Sequence, residues 1–176
     1  MPGPEGRRRG RAGRWRLAGC ALLALLLLSG GLGTQPTQPV VYVVPITGMI
    51  DLGLAPFVQR VLDEAAGAGA AAVMLEINTF GGRVDAAVLI RDALLRARVR
   101  TVAFVNTRAI SAGALISLAA EIIAMAEGGA IGAATPVTMG QPGTPAQPVA
   151  EKTVSYMRKE FRATAEARKR PPLLAE

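Results

Sequence analysis

The chain has 176 residues and contains no histidine. A Ser-His-Asp catalytic arrangement is therefore excluded, because it needs an imidazole to take the proton of the nucleophile. Cysteine is almost as scarce: Cys20 is the only one, so no intrachain disulfide can form. A transition-metal site would have to consist of carboxylates alone. Phosphate-binding glycine motifs are also missing. We therefore expect neither a metal ion nor a cofactor.

Serine and lysine are rare enough to be considered one by one. There are four serines, and three lysines stand against seventeen arginines. Ser111 is the only serine at a predicted junction between a strand and a helix, where it would be either a helix N-cap or a nucleophile. Without histidine, its base would be a lysine or a carboxylate. Lys152 opens the last predicted helix, where it would be either that base or an ordinary solvated lysine.

The positive charge is concentrated at the N-terminus. The formal net charge is +7, but six arginines and one glutamate precede residue 17, which leaves the remainder near +2. An apolar stretch, LAGCALLALLLL, follows and is shorter than the roughly 20 residues of a transmembrane helix. This pattern predicts a signal peptide or signal anchor over residues 1–34 and an exported, periplasmic or extracytoplasmic domain over 35–176. We expect no nucleic-acid partner, because the basic excess lies outside the predicted fold.

Apolar strands alternate with helical segments after residue 39. This alternation predicts an α/β fold with a parallel sheet, and the continuous apolar strands favour a sheet covered on both faces. Two segments follow predicted strands, NTFGGRVD and NTRAISAG, and chemistry in such folds gathers at the carboxyl ends of strands. The predicted strands are 40–46, 71–77, 101–105 and 121–126, with a short fifth near 130–134; the predicted helices are 54–68, 84–98, 111–120 and 149–169, the last preceded by a loop at 140–148.

A glycine pair, Gly81-Gly82, follows the second predicted strand. Glycine permits close approach of a ligand to the backbone, so N–H groups there could stabilise a tetrahedral oxyanion. A tight turn into the next helix explains the pair equally well. Both interpretations stay open on the sequence alone.

Three motifs, INTFGGRVDAA, RAISAGALISLAAE and IIAMAEGGAIGAATPV, occur in this order after the export signal. Together they resemble the NfeD family of membrane-associated, ClpP-like serine proteases. The resemblance implies a ClpP/crotonase-like fold and a Ser-Lys dyad, with Ser111 as nucleophile and Lys152 as general base. It also implies oxyanion donors at the N–H groups of Gly82 and Ala112, and substrate binding at Phe80 and Gly81.

The chain departs from the family pattern in two respects. Phe80 stands where that pattern usually has proline. The family's protease domain normally continues beyond RKRPPLLAE, so we expect the domain to be incomplete at its C-terminus.

The resulting expectation is a membrane-associated serine endopeptidase that cleaves apolar segments of membrane-linked proteins. The resemblance points to stomatin-like proteins as substrates or partners and to a homo-oligomer. One alternative is a non-catalytic, truncated protease-like scaffold that assembles with a membrane partner. A crotonase-type acyl-CoA enzyme is a third reading, but it explains neither the export signal nor the pairing of Ser111 with Lys152.

Overall fold

The structure is a computed structural model that describes residues 38–134, 137–138, 147–148 and 150–172. The predicted export segment at 1–34 lies outside the described residues, as does most of the predicted loop at 140–148. Within the described ranges, no helix is both long enough and apolar enough to cross a membrane.

Strands and helices alternate along the chain as the sequence predicts. The first four strands are parallel and are hydrogen-bonded in the order β1-β2-β3-β4, while β5 pairs with the distal part of β3. The strands are β1 Val41–Ile50, β2 Ala72–Gly82, β3 Thr101–Ile110, β4 Ile122–Met125, β5 Ala130–Gly132, and the antiparallel pair β6 Val137–Thr138 and β7 Gln147–Pro148. The helices are α1 Leu54–Gly67, α2 Val84–Arg96, α3 Ala112–Ala119 and α4 Glu151–Ala167.

The sheet is covered on one face, so the expectation of two covered faces is wrong for the described residues. Crossovers between parallel strands are almost always right-handed, and the strands here follow one another in a single direction across the sheet. Each connecting helix therefore packs on the same side. Burial alternates accordingly along β1, where Val44 is buried and Val43 is 53% exposed.

The strands also extend further than predicted at their carboxyl ends. The apolar run of β2 ends at Ile77, but parallel pairing continues to Gly82, with an irregular register between Ile77 and Thr79. Sheet pairing uses backbone groups, so it can continue beyond the apolar residues from which a strand is predicted. Gly81 and Gly82 consequently form the end of a strand and not a separate turn.

Helix α3 consists of small and aliphatic residues and is almost wholly buried against β2 and β3. Gly113 has room only for hydrogen, because a Cβ there would lie 2.6 Å from the Thr79 methyl carbon. The buried Ser117 hydroxyl donates to the Gly113 carbonyl at 2.8 Å, which satisfies its hydrogen-bonding capacity inside the core. This close approach brings the first residue of α3 up to the end of β2.

Helix α4 packs outside α2 and α3 and is tied down at its C-terminal end by arginines. Arg168 donates from Nε to the Ala119 carbonyl at 2.7 Å. Arg170 donates to three carbonyls at and just beyond the end of α3. Burial lowers the pKa of Arg170, with Arg168 contributing in the same direction. The acceptors of Arg170 are the carbonyls of Leu118, Ala120 and Glu121.

Candidate active site

A cavity of about 820 Å³ lies at the carboxyl ends of β1, β2 and β3. It is the meeting point of the two segments that the sequence singles out, because parallel strands end at the same edge of a sheet. Its lining residues are Gly48 and Met49 from β1, Asn78 to Gly82 from β2, Arg83 and Val84 at the start of α2, Arg108 from β3, and Ser111.

Ser111 occupies the N-cap position of α3 with φ +55° and ψ −116°. A positive φ is uncommon for a residue other than glycine and costs on the order of 1–3 kcal/mol. The hydroxyl makes no capping hydrogen bond, although the backbone is well anchored: the Ser111 N–H donates to the Gly132 carbonyl at 2.8 Å. The capping alternative is therefore not what this side chain does, and Ser111 instead lines the cavity.

Gly81 passes directly over Ser111. A Cβ at Gly81 would lie 2.8 Å from the Ser111 Cβ, and its φ of +109° is one that other residues rarely adopt. The Gly81 N–H donates to the Thr79 hydroxyl oxygen at 2.9 Å, and that hydroxyl donates to the Gly48 carbonyl. Thr79 thus links β1 to the glycine segment. Because its hydroxyl accepts the hydrogen bond of the Gly81 N–H, this N–H is not free to bind an oxyanion.

Gly82 and Ala112 flank this arrangement. A Cβ at Gly82 would overlap the backbone of Ile50, so the ends of β1 and β2 are packed as closely as a glycine allows. Ala112 is buried and is the first residue of α3. Its N–H consequently has no acceptor inside the helix and lies at the positive end of the helix dipole.

Lys152 lies apart from this cluster. It is exposed in the first turn of α4 and does not line the cavity. Tyr156, one turn later, lines a neighbouring cavity of about 680 Å³ that shares Arg83 and Val84 with the first. Burial, followed by the hydrogen bond with Glu160, raises the pKa of Tyr156, so its hydroxyl is protonated at neutral pH. The structure thus brings Ser111, Phe80, Gly81 and Gly82 together and leaves Lys152 outside their cavity.

Sequence reasoning did not single out Thr79 or Arg108. Thr79 is part of the INTFGG motif, and a buried threonine just before a glycine pair could have suggested a backbone anchor. Arg108 lies in the NTRAISAG motif, but its face of β3 could be assigned only once the strand was known to continue beyond Val105. Among the residues described, no group of three or more Cys, Asp or Glu side chains could hold a metal ion.

The packing of Gly82 against Ile50 gives a direct prediction. Gly82→Ala should lower the free energy of unfolding by more than about 2 kcal/mol, because the new methyl group overlaps backbone atoms that cannot rotate away. Gly67→Ala is the matched control: nothing lies within 4 Å of a Cβ there, and alanine should be neutral or stabilising by up to about 1 kcal/mol. Urea unfolding of both variants measures the difference, and equal stabilities would contradict the close contact.

Comparison with known proteins gives consistent matches. Residues 40–176 match the family described as "NfeD1b, N-terminal domain". The membrane protein NfeD1b of Bacillus subtilis is 40% identical over 120 residues, which cover 68% of this chain and 28% of that protein. The membrane-bound protease PH1510 of Pyrococcus horikoshii is 31% identical over 119 residues, or 66% of this chain and 27% of that protein. The chain therefore spans just over a quarter of these relatives.

Solved structures agree with this result. A serine-to-alanine variant of a membrane-bound, stomatin-specific protease, 1510-N, superposes with a TM-score of 0.72 at 27% identity, covering 78% of this chain and 68% of that one. A lysine-to-alanine variant of 1510-N in complex with a substrate peptide gives 0.73 at 26% identity, covering 79% and 65%. The expected α/β fold with a parallel sheet is confirmed. From the family match and these relatives, the chain belongs to the NfeD family and carries its NfeD1b N-terminal domain.

Proposed function

We propose that this chain is the peptidase domain of a membrane-associated serine endopeptidase, with Ser111 as its nucleophile. The observation that carries the proposal is the geometry of Ser111. Its hydroxyl makes no capping bond, its backbone is held at a positive φ, and it lies in a cavity against Gly81. A serine held in a strained conformation at a strand-to-helix junction, with a hydroxyl that does not cap the helix, is the arrangement that nucleophilic catalysis uses.

The proposed mechanism uses Ser111, Lys152 and two backbone N–H groups. The Oγ attacks the carbonyl carbon of the scissile peptide bond while neutral Lys152 takes the hydroxyl proton. The resulting oxyanion accepts hydrogen bonds from the N–H groups of Gly82 and Ala112. The C–N bond then breaks, and the proton on the lysine passes to the leaving amine. Water hydrolyses the acyl ester in a second step and regenerates the hydroxyl.

The assignment of Lys152 as base sets a structural requirement. A lysine must be within hydrogen-bond reach of the serine and must be neutral to accept a proton. Lys152 is exposed at the start of α4, so the proposal requires this first turn to approach Ser111 when substrate is bound.

The substrate class rests on the cavity and on the relatives. Apolar residues such as Met49, Phe80 and Val84 contribute to the wall, which suits an apolar peptide segment. One relative is named as a membrane-bound protease, and the related solved structures are described as stomatin-specific. We therefore propose that the substrate is a membrane-linked protein, and stomatin-like proteins are the first candidates to test. We also propose that the enzyme is a homo-oligomer and is extracytoplasmic.

The test uses the full chain purified in detergent and a set of fluorogenic apolar peptides. We expect time-dependent cleavage, together with covalent labelling of Ser111 by a fluorophosphonate reagent, located by mass spectrometry. The labelling does not depend on the choice of peptide, so it reports on the nucleophile even when no tested sequence is cleaved. Absence of both signals would overturn the proposal and leave the non-catalytic scaffold as the better explanation.

A further inference from the structure

The cavity beside Ser111 carries an unbalanced positive charge. Its described lining includes two arginines, Arg83 and Arg108, and no acidic side chain. Arg83 is neutralised by Asp85, to which it donates from Nε at 3.0 Å and from Nη2 at 2.6 Å. The hydrogen bond from Arg83 lowers the pKa of Asp85, so this carboxylate remains charged at neutral pH. Within the described residues, Arg108 has no such counterion.

Arg108 is held in place by an aromatic ring and not by a carboxylate. Its Cζ lies 4.4 Å from the centroid of the Phe80 ring, and within the described part of the chain this is the interaction that the guanidinium makes. An aromatic face attracts the cation without consuming the N–H donors at its edge. Phe80 itself is 72% exposed. Among the described residues, the Arg108 guanidinium therefore has open N–H donors, and it lines the cavity.

We propose that Arg108 is a specificity-determining residue that binds a carboxylate of the substrate. The proposal deepens the proposed peptidase function and rests on it: the substrate class becomes an apolar peptide with an acidic group near the scissile bond. The carboxylate is either an acidic side chain or the free C-terminus of the peptide.

The position of Arg108 explains why the acidic group should be near the reacting bond. Arg108 lies on β3, three residues before Ser111 at the N-cap of α3, and Phe80 immediately precedes Gly81, which packs against Ser111. A guanidinium pairs with a carboxylate through two parallel hydrogen bonds, a geometry that a neutral amide cannot reproduce. Arg108 is partly exposed, so we expect a preference of about tenfold and not the larger effect of a fully buried pair.

The experiment measures binding separately from cleavage. Fluorescent apolar peptides that differ only by Glu or Gln, or by a free or amidated C-terminus, are titrated against the full-chain Ser111→Ala variant by anisotropy. We expect about tenfold tighter binding of one carboxylate form over its neutral counterpart, which identifies the source of the carboxylate. The preference should fall as salt is raised. The same ratio should appear in kcat/KM of the wild-type chain.

Substitutions on the Ser111→Ala background assign the preference to one side chain. Arg108→Gln should bring the ratio of the affinity for the carboxylate peptide to that for its neutral counterpart close to one. Arg108→Glu should bind a Lys-containing peptide more tightly than the Glu-containing one. Phe80→Leu should reduce the ratio by loosening Arg108. Arg60→Gln, an exposed arginine on α1 outside the cavity, makes the same charge change and should leave the ratio intact.

Two results would overturn the proposal: equal affinity for charged and neutral peptides, or an unchanged ratio in Arg108→Gln. A different result is expected if Arg108 binds the carboxylate but the chain is not a peptidase. Binding would then still discriminate between the peptides, while the wild-type chain cleaved none of them.

Discussion

Ser111→Ala should reduce peptide turnover by about a thousandfold or more, because a nucleophilic mechanism leaves no substitute for the missing Oγ. The fold should be unaffected. The hydroxyl makes no capping hydrogen bond, so its removal should change the free energy of unfolding by less than about 0.5 kcal/mol. Turnover of a fluorogenic apolar peptide and urea unfolding, measured on the same preparation, test the two parts together.

Two further variants sharpen this test. Ser155→Ala makes the same chemical change in α4, outside the cavity lining, and should keep wild-type activity. Ser111→Gly should be as inactive as the alanine variant and at least as stable, because glycine adopts φ +55° without strain. Wild-type turnover in Ser111→Ala would make Ser111 a structural residue only.

Lys152→Ala should remove nearly all turnover, and Lys152→Arg should be equally inactive although it keeps the positive charge. A guanidinium stays protonated throughout the working pH range and cannot accept the proton of Ser111. Values of kcat/KM for the wild type and both variants, measured on one apolar peptide, test these effects.

The exposed position of Lys152 makes the interpretation of a loss straightforward. Substitution of an exposed side chain in the first turn of α4 should leave stability within about 0.5 kcal/mol, so lost activity cannot be attributed to unfolding. Lys159→Ala, on the same helix and also exposed, is the matched control and should keep activity. Comparable activity in Lys152→Arg and the wild type would rule out the dyad and with it the required approach of α4.

Much of this architecture could be predicted because the apolar segments alternate clearly between strand and helix. Residues such as Leu75 and Val105 belong to continuous apolar runs whose ends bracket the connecting helices. The position of Ser111 beside Gly81 also follows, since the ends of neighbouring parallel strands meet at one edge.

The features that could not be predicted depend on interactions that the pattern of apolar and polar side chains does not encode. The extension of β2 through Gly82 is a matter of backbone pairing, and the positive φ of Ser111 results from how β3 joins α3. Coverage of a single face follows from the strand order, which the apolar content of the strands does not reveal. The contact between Arg108 and Phe80 joins two strands and needed their register.

The close packing of the glycine segment also bears on how this site can diverge. Positions 81 and 82 are closed to other residues, because Ser111 and the backbone of Ile50 fill the space that a side chain would need. Phe80, on β2, and Arg108, on β3, lie at the cavity wall, where Phe80 is largely exposed and Arg108 is partly exposed. Substitutions at positions 80 and 108 should therefore be accommodated and should alter peptide preference, whereas positions 81 and 82 should accept only glycine.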